Sequence, residues 1–172
     1  MKTNDVLVVI DMQNDFIDGA LGTAEARNIL KSVIDKITHF GGEVVFTRDT
    51  HGENYLETQE GQKLPVRHCI KDTDGWQLHR NIRELAEGKT MIDKPTFGSL
   101  ALAHYLKGKG DLDAIILVGL CTDICVISNA LILKAAFPET EIIVDKDCCA
   151  GVTPKSHENA LKAMEMCQIK II

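Results

Sequence analysis

The stretch that most constrains this chain is Ile115 to Val126, which reads IILVGLCTDICV. Its branched apolar residues followed by Gly119 read as a strand buried on both faces, and the apolar run from Ile124 to Phe137 reads as a helix, leaving Gly119 to Asp123 as a sharp turn. A cysteine therefore stands at a helix start. Unsatisfied N–H groups and the positive end of the helix dipole favour negative charge there, so the Cys125 thiol is expected to ionise below its usual pKa of about 8.5 and to act as a nucleophile. The alternative is a small buried hydrophobe packed into the turn, as most intracellular cysteines are.

Strands and helices alternate along the rest of the chain. Val6 to Ile10 (VLVVI) is an unbroken apolar run suited to a central parallel strand, with Asp11 at its carboxyl end. After a loop containing Gly19 and Gly22, Thr23 can cap a helix in which Ile29, Leu30, Val33, Ile34, Ile37 and Phe40 recur at helical spacing until Gly41-Gly42. Glu43 to Thr47 is a second strand, followed by Arg48, Asp49, Thr50 and His51. Residues 52–75 are polar and read as one long loop, of a length that is usually functional. A short helix near Leu78 to Ala86 leads to a third strand at Thr90 to Ile92, and Pro95 holds Lys94 extended behind it. Phe97 to Leu106 is predicted helical, Ala114 to Val118 is the central strand and Thr140 to Val144 the fifth. Thr153-Pro154 opens a helix through Met166, and Ile169 to Ile172 is a short last strand.

This alternation predicts an α/β fold, a doubly wound parallel sheet with helices on both faces, whose ligands bind beyond the carboxyl ends of the strands. Asp11, Asp49, His51, Lys94 and Cys125 all follow strands at that end, which points to a single site. At 172 residues the length suits one domain spanning 1–172, and a net charge of -6 offers no basic face to nucleic acid or anionic lipid. The N-terminal apolar run is too short for a signal peptide and no run approaches the roughly 18 residues that span a bilayer, so a cytoplasmic location is expected. The cysteines are then reduced, and Cys69, Cys121, Cys148, Cys149 and Cys167 read first as packing residues.

Asp11, Lys94 and Cys125 supply a proton acceptor, a fixed cation and a sulfur nucleophile, which together suffice for acyl transfer through a thioester. Backbone N–H groups of Cys121 and Cys125 can serve the oxyanion. Asp49 and His51 lie two apart in extended chain and project to one side, and the long loop brings His68 as a third ligand. One carboxylate and two imidazoles suit zinc, iron or manganese with positions left open. A loop hydrogen-bonding pair is the alternative for Asp49 and His51, a solvated lysine for Lys94, and a carboxylate satisfied by backbone amides for Asp11.

These residues sit in five motifs: VVIDMQNDF (8–16), FTRDTH (46–51), LPVRHCIKDTDGWQL (64–78), DKPTFGS (93–99) and GLCTDICV (119–126). In that order, nearly end to end, they resemble the isochorismatase-like cysteine hydrolases, and within them the nicotinamidase/pyrazinamidase group. The resemblance implies a six-stranded parallel sheet in a three-layer sandwich and a triad of Asp11, Lys94 and Cys125. It also implies a non-proline cis peptide before Cys121, whose amide joins that of Cys125 in an oxyanion hole. Asp49, His51 and His68 match positions that hold a divalent ion, zinc first and iron or manganese as alternatives, which takes the pyridine nitrogen of the substrate. Phe16 is one expected ring-stacking wall. Two positions depart from the group's pattern: Thr50 replaces an aromatic residue between the Asp and His, and Lys63, Leu64 and Pro65 stand where a tryptophan is common.

The expected activity is a metal-assisted cysteine amidase converting nicotinamide, or a similar small heteroaromatic amide, to the acid plus ammonia. The alternatives are a hydrolase of the same family acting on another amide, ureide or carbamoyl compound, and a member that only binds small molecules or scaffolds. The helix from Ile124 has few polar positions and family members commonly associate, so a homo-oligomer, dimer or tetramer, is expected.

Overall fold

Strand β1 (Val6–Ile10) is buried at every position because both of its faces are covered. Val6, Val8 and Ile10 pack into one apolar layer, while Leu7 and Val9 pack into the other. The period-two geometry of a strand thus turns one apolar run into two cores. The computed structural model describes residues 4–172, so the first three residues of the span read as one domain lie outside the described residues.

After β1 come three helices, α1 (Asn14–Ile17), α2 (Ala24–Asn28) and α3 (Leu30–His39). The helix expected from Thr23 onward forms, with Thr23 accepting the Ala26 N–H as a cap, but it is divided at Ile29, which ends α2 and begins α3. Val33 and Ile37 of α3 are buried against the sheet, as their spacing requires. Strand β2 (Glu43–Asp49) runs two residues further than its apolar pattern and so includes Asp49.

Residues 52–75 are not structureless. A 3-10 turn at Tyr55–Glu57 is followed by α4 (Gln59–Lys63), whose N–H at Gly61 is capped by the Thr58 hydroxyl. Helix α5 (Arg80–Arg83) continues as a 3-10 turn to Ala86, and β3 (Thr90–Lys94) reaches Lys94 as the following proline suggested. Helix α6 (Leu100–Lys107) begins later than expected because Ser99 caps it, which leaves Phe97 outside on the approach to the strand ends. Strand β4 (Ala114–Leu120) is wholly buried. A π turn at Thr122–Val126 separates it from α7 (Ile127–Ala136), so Cys125 stands in the turn and not in a regular first α turn. Strand β5 (Glu141–Ala150) extends six residues past Val144 and buries Cys148 and Cys149, and α8 (Pro154–Met166), capped by Thr153, leads to β6 (Lys170–Ile171).

The six strands are all parallel in the order β3-β2-β1-β4-β5-β6. This is the doubly wound α/β sandwich that the alternation predicted, and its winding reverses between β1 and β4. Helices α6, α7 and α8 cover one face through Leu102, Leu106, Leu133 and Met164, and α1, α3 and α5 cover the other through Ile17, Val33 and Ile82. No helix among the described residues is long and apolar enough to cross a membrane.

At the reversal, Gly119 pairs with Ile10 and adopts φ +117, and a Cβ there would run into the Ile10 backbone. The close approach brings the end of β4 against the end of β1 beside Asp11. Gly119→Ala should therefore cost about 3 kcal/mol, combining a left-handed backbone with overpacking, and urea unfolding at pH 7 measures it. A loss below about 1 kcal/mol would show that the strands can separate freely at this point.

Candidate active site

Asp11 is the first residue beyond β1 and is fully buried, with φ +49, a conformation that aspartate tolerates better than most side chains. One of its oxygens accepts the Thr47 hydroxyl at 2.7 Å and the other meets the Lys94 ammonium at 2.6 Å. Lys94, at the end of β3, is 1% exposed. Its Nζ also lies 3.1 Å from the Thr96 carbonyl, 3.4 Å from an Asp49 oxygen and 3.5 Å from the Cys125 sulfur. Three side chains read separately from three segments thus share one ammonium.

Their electrostatics correct one expectation. Burial, then the Asp11 carboxylate, push the Cys125 thiol well above its usual pKa, with only Lys94 opposing, so Cys125 is protonated at rest. Desolvation is the largest effect on a thiol 5% exposed, and it overrides the pull of a helix start. Burial also raises the Asp11 carboxyl, against the pull of Lys94, which makes it a stronger base than a surface aspartate. For Lys94, burial works downward, but the Asp11 and Asp49 carboxylates outweigh it and hold the amine charged.

A second cluster adjoins the first through Asp49. His51 Nε2 is 2.9 Å and His68 Nε2 3.6 Å from the same Asp49 oxygen. A fourth group, which the sequence reading missed, completes it: Glu60 of α4 lies 3.6 Å from His51 and 3.9 Å from His68. The four ligand atoms all fall within 4.8 Å of one another. His68 Nδ1–H donates to the Val66 carbonyl at 2.8 Å, which fixes the tautomer and turns Nε2 toward the cluster. Burial would raise the Asp49 carboxyl, but hydrogen bonds from His51 and His68 and the charge of Lys94 hold it well below the usual carboxylate range. Glu60 is raised, by burial and then by the Asp49 charge. Burial pulls His68 down, but its interactions with Asp49 and the Val66 carbonyl and the charge of Glu60 together outweigh it and raise the imidazole. Two carboxylates and two imidazoles converging at this separation, with one imidazole oriented from behind, fit a zinc-like divalent ion.

The supports are buried polar groups that carry no chemistry themselves. Gln13 is fully buried, accepts the Asp49 N–H at 2.7 Å and donates to the carbonyls of Asp49 and Trp76 at 2.8 Å each. It fixes the backbone from which Asp49 projects, and its place in the VVIDMQNDF motif was the available signal. Thr50, in the position where an aromatic was expected, accepts the Trp76 indole N–H at 2.8 Å. Arg48 stacks 3.6 Å over that indole and forks onto Asp93 at 2.8 and 3.1 Å. Cys69, read as a packing residue, is buried with its N–H donating to Asp15 at 2.8 Å.

Both clusters open into one cavity of about 50 Å³ lined by Phe16, Leu21, Leu64, Phe97 and Ile124, with Asp49, Glu60, His68, Cys121 and Cys125 at its polar end. That is room for about four waters. Phe16 lies 5.6 Å from the His68 ring. The Leu120–Cys121 peptide is cis, as the resemblance implied. Leu64 stands in the wall where the tryptophan was missing.

A sequence model of the isochorismatase domain matches residues 5–172. The chain belongs to the isochorismatase family. It is 26% identical to a nicotinamidase of Acinetobacter baylyi over 83% of this chain and 80% of that one. It is 24% identical to the nicotinamidase/pyrazinamidase of Mycobacterium tuberculosis, over 96% and 97% of the two chains. Among solved structures, the pyrazinamidase of Pyrococcus horikoshii in complex with zinc superposes with a TM-score of 0.85 at 31% identity, covering 98% of each chain.

Replacing Lys94 by methionine keeps the volume and removes the cation shared by Asp11 and Asp49. Leaving two buried carboxylates without it should cost about 3–5 kcal/mol at pH 7, read by urea unfolding. In the parent, an amine raised on folding contributes fully below its unfolded pKa of about 10.4 and loses that contribution above it. In Lys94→Met the deficit should instead shrink as the pH falls and the raised Asp11 carboxyl takes a proton. A variant as stable as the parent at pH 7 would remove the ammonium from its central place.

Proposed function

We propose that this chain is a metal-assisted cysteine amidohydrolase of nicotinamidase type, taking nicotinamide or a similar small heteroaromatic amide to the acid and ammonia. The observation that carries the reading is the common cavity. The Cys125 thiol, paired with Asp11 and Lys94, faces the same small cavity as Asp49, Glu60 and His68, which with His51 make up the donor cluster. The kinship with nicotinamidases and with a zinc-bound pyrazinamidase supports it. Apolar walls at Phe16, Leu21, Leu64 and Ile124 suit a ring better than a ureide, which would leave polar atoms unpaired there.

Asp49, His51, Glu60 and His68 would hold the ion, which when bound supplies a Lewis-acidic contact for a ring nitrogen. The remaining chemistry belongs to the chain. The amide substrate presents its carbonyl carbon to the Cys125 sulfur. As the S–C bond forms, the thiol proton passes to Asp11, whose burial has raised its proton affinity, while Lys94 stabilises the sulfur as its charge develops. The carbonyl oxygen becomes an oxyanion beside the backbone amides of Cys121 and Cys125. Asp11 then returns the proton to the departing nitrogen, the C–N bond breaks, and ammonia leaves a thioester on Cys125. Water attacks that thioester with Asp11 taking its proton, the C–S bond breaks, and the sulfur recovers a proton as the acid departs.

The reading carries with it a homo-oligomer. Leu100 on α6 is 77% exposed and Leu131 on α7 40% exposed, an apolar face that a second copy of the chain would cover. Light scattering should return a mass of at least two chains, and a monomer at micromolar concentration would reject this part.

Zinc-replete protein should release ammonia from nicotinamide, and Cys125→Ala and Asp11→Asn should each lower turnover at least about a thousandfold while remaining folded. A panel of other amides, ureides and carbamoyl compounds assayed in parallel separates the substrate from the chemistry. Turnover of a panel member without nicotinamide turnover would keep the triad and reject the substrate, whereas full activity in Cys125→Ala would reject the nucleophile.

A further inference from the structure

Among the large side chains that are fully buried, Tyr55 has no place in the chemistry, yet it packs against both imidazoles of the donor cluster. Its ring centroid lies 4.6 Å from that of His51, tilted 52°, and 5.0 Å from that of His68, nearly edge-on at 77°. The two imidazoles are themselves 4.9 Å apart, so the three rings form one packed triangle. The Tyr55 hydroxyl donates to the Leu64 carbonyl at 2.9 Å. Leu64 is a wall of the cavity, and its own N–H donates to the Glu60 carbonyl at 2.8 Å.

The segment between Tyr55 and Leu64 carries Glu60. Its start is tied to Tyr55 again, because the Thr58 hydroxyl donates to the Tyr55 carbonyl at 2.7 Å and also receives the Gly61 N–H at 3.0 Å. Gly61 packs so closely on the Tyr55 backbone that a Cβ there would collide with it. The helix in this segment, α4, has only five residues, too short to hold its shape alone. Whatever fixes Glu60 and Leu64 must come from outside it, and the contacts that close the turn are those of Tyr55.

We propose that Tyr55 is a positioning residue that clasps the metal site: its ring sets the two imidazoles, and its hydroxyl closes the turn that carries Glu60 and the Leu64 wall. The two functions separate chemically. Phenylalanine keeps the ring and loses the hydroxyl, and leucine loses both. The inference rests on the cluster binding a divalent ion, and its link to the substrate rests on the amidase reading above.

Zinc affinity of the metal-free protein, measured by competition with a chromophoric chelator, tests the clasp without turnover. Tyr55→Phe should weaken zinc about threefold to fivefold and Tyr55→Leu more than tenfold, while metal-free melting temperatures show that both variants are folded. In the nicotinamide assay Tyr55→Phe should raise KM about fivefold with kcat within a factor of two, a split that general loosening of the fold would not give. Zinc affinity within twofold of the parent in both variants overturns the proposal. So does a Tyr55→Phe variant as weak as Tyr55→Leu, because the ring would then have no part of its own. If Tyr55→Leu does not fold, Tyr55→Phe decides: parental zinc affinity and parental KM together overturn it. A parent protein that does not hydrolyse nicotinamide rejects the amidase reading and leaves the zinc titration to judge the clasp.

Discussion

The site is built around one buried ammonium. Taking the Lys94 charge out of water costs several kcal/mol unless opposite charge and hydrogen-bond acceptors meet it, and here two carboxylates and a carbonyl do so. Those acceptors come from the ends of β1 and β2 and from the segment after β3, so satisfying one charge fixes the relative positions of three strand ends. The fourth neighbour, the Cys125 sulfur, arrives from β4 across the winding reversal. Asp49 belongs both to the ammonium and to the candidate metal donors, so the two halves of the site are held in register by a single carboxylate.

Much of this could be read from residue order. The apolar runs of β1 and β4 gave their positions because strands covered on both faces leave no polar alternation to misread. Placing Asp11, Asp49, His51, Lys94 and Cys125 at one edge followed from parallel winding alone. Glu60 was hidden because α4 is too short to show an apolar period, and its only local signal was a threonine three residues before a glycine. Gln13 and Tyr55 were hidden for another reason. Both act through backbone carbonyls or ring packing, Gln13 across 36 and 63 residues, and neither spacing nor residue type announces such contacts. The Thr50 position looked like a loss when compared with the family's aromatic, but the indole of Trp76 supports it from another segment.

The direction of the Cys125 shift was misjudged for a reason that bears on how the site works. A sequence shows where a helix begins, but not how dry its first turn is. The π turn buries the thiol beside a carboxylate, and both effects favour the protonated form. A thiol kept neutral at rest is a poor target for oxidants and adventitious electrophiles, which react with thiolates. On the proposed mechanism it becomes a nucleophile only when its proton has somewhere to go, and the raised Asp11 carboxyl, joined to it through the Lys94 ammonium, is the acceptor. Lys94 stays charged throughout, so it neutralises the carboxylate before the transfer and the sulfur during it. The cation's position between the two oxygen acids and the sulfur is therefore what allows a single proton to move without leaving a net charge stranded in a dry pocket.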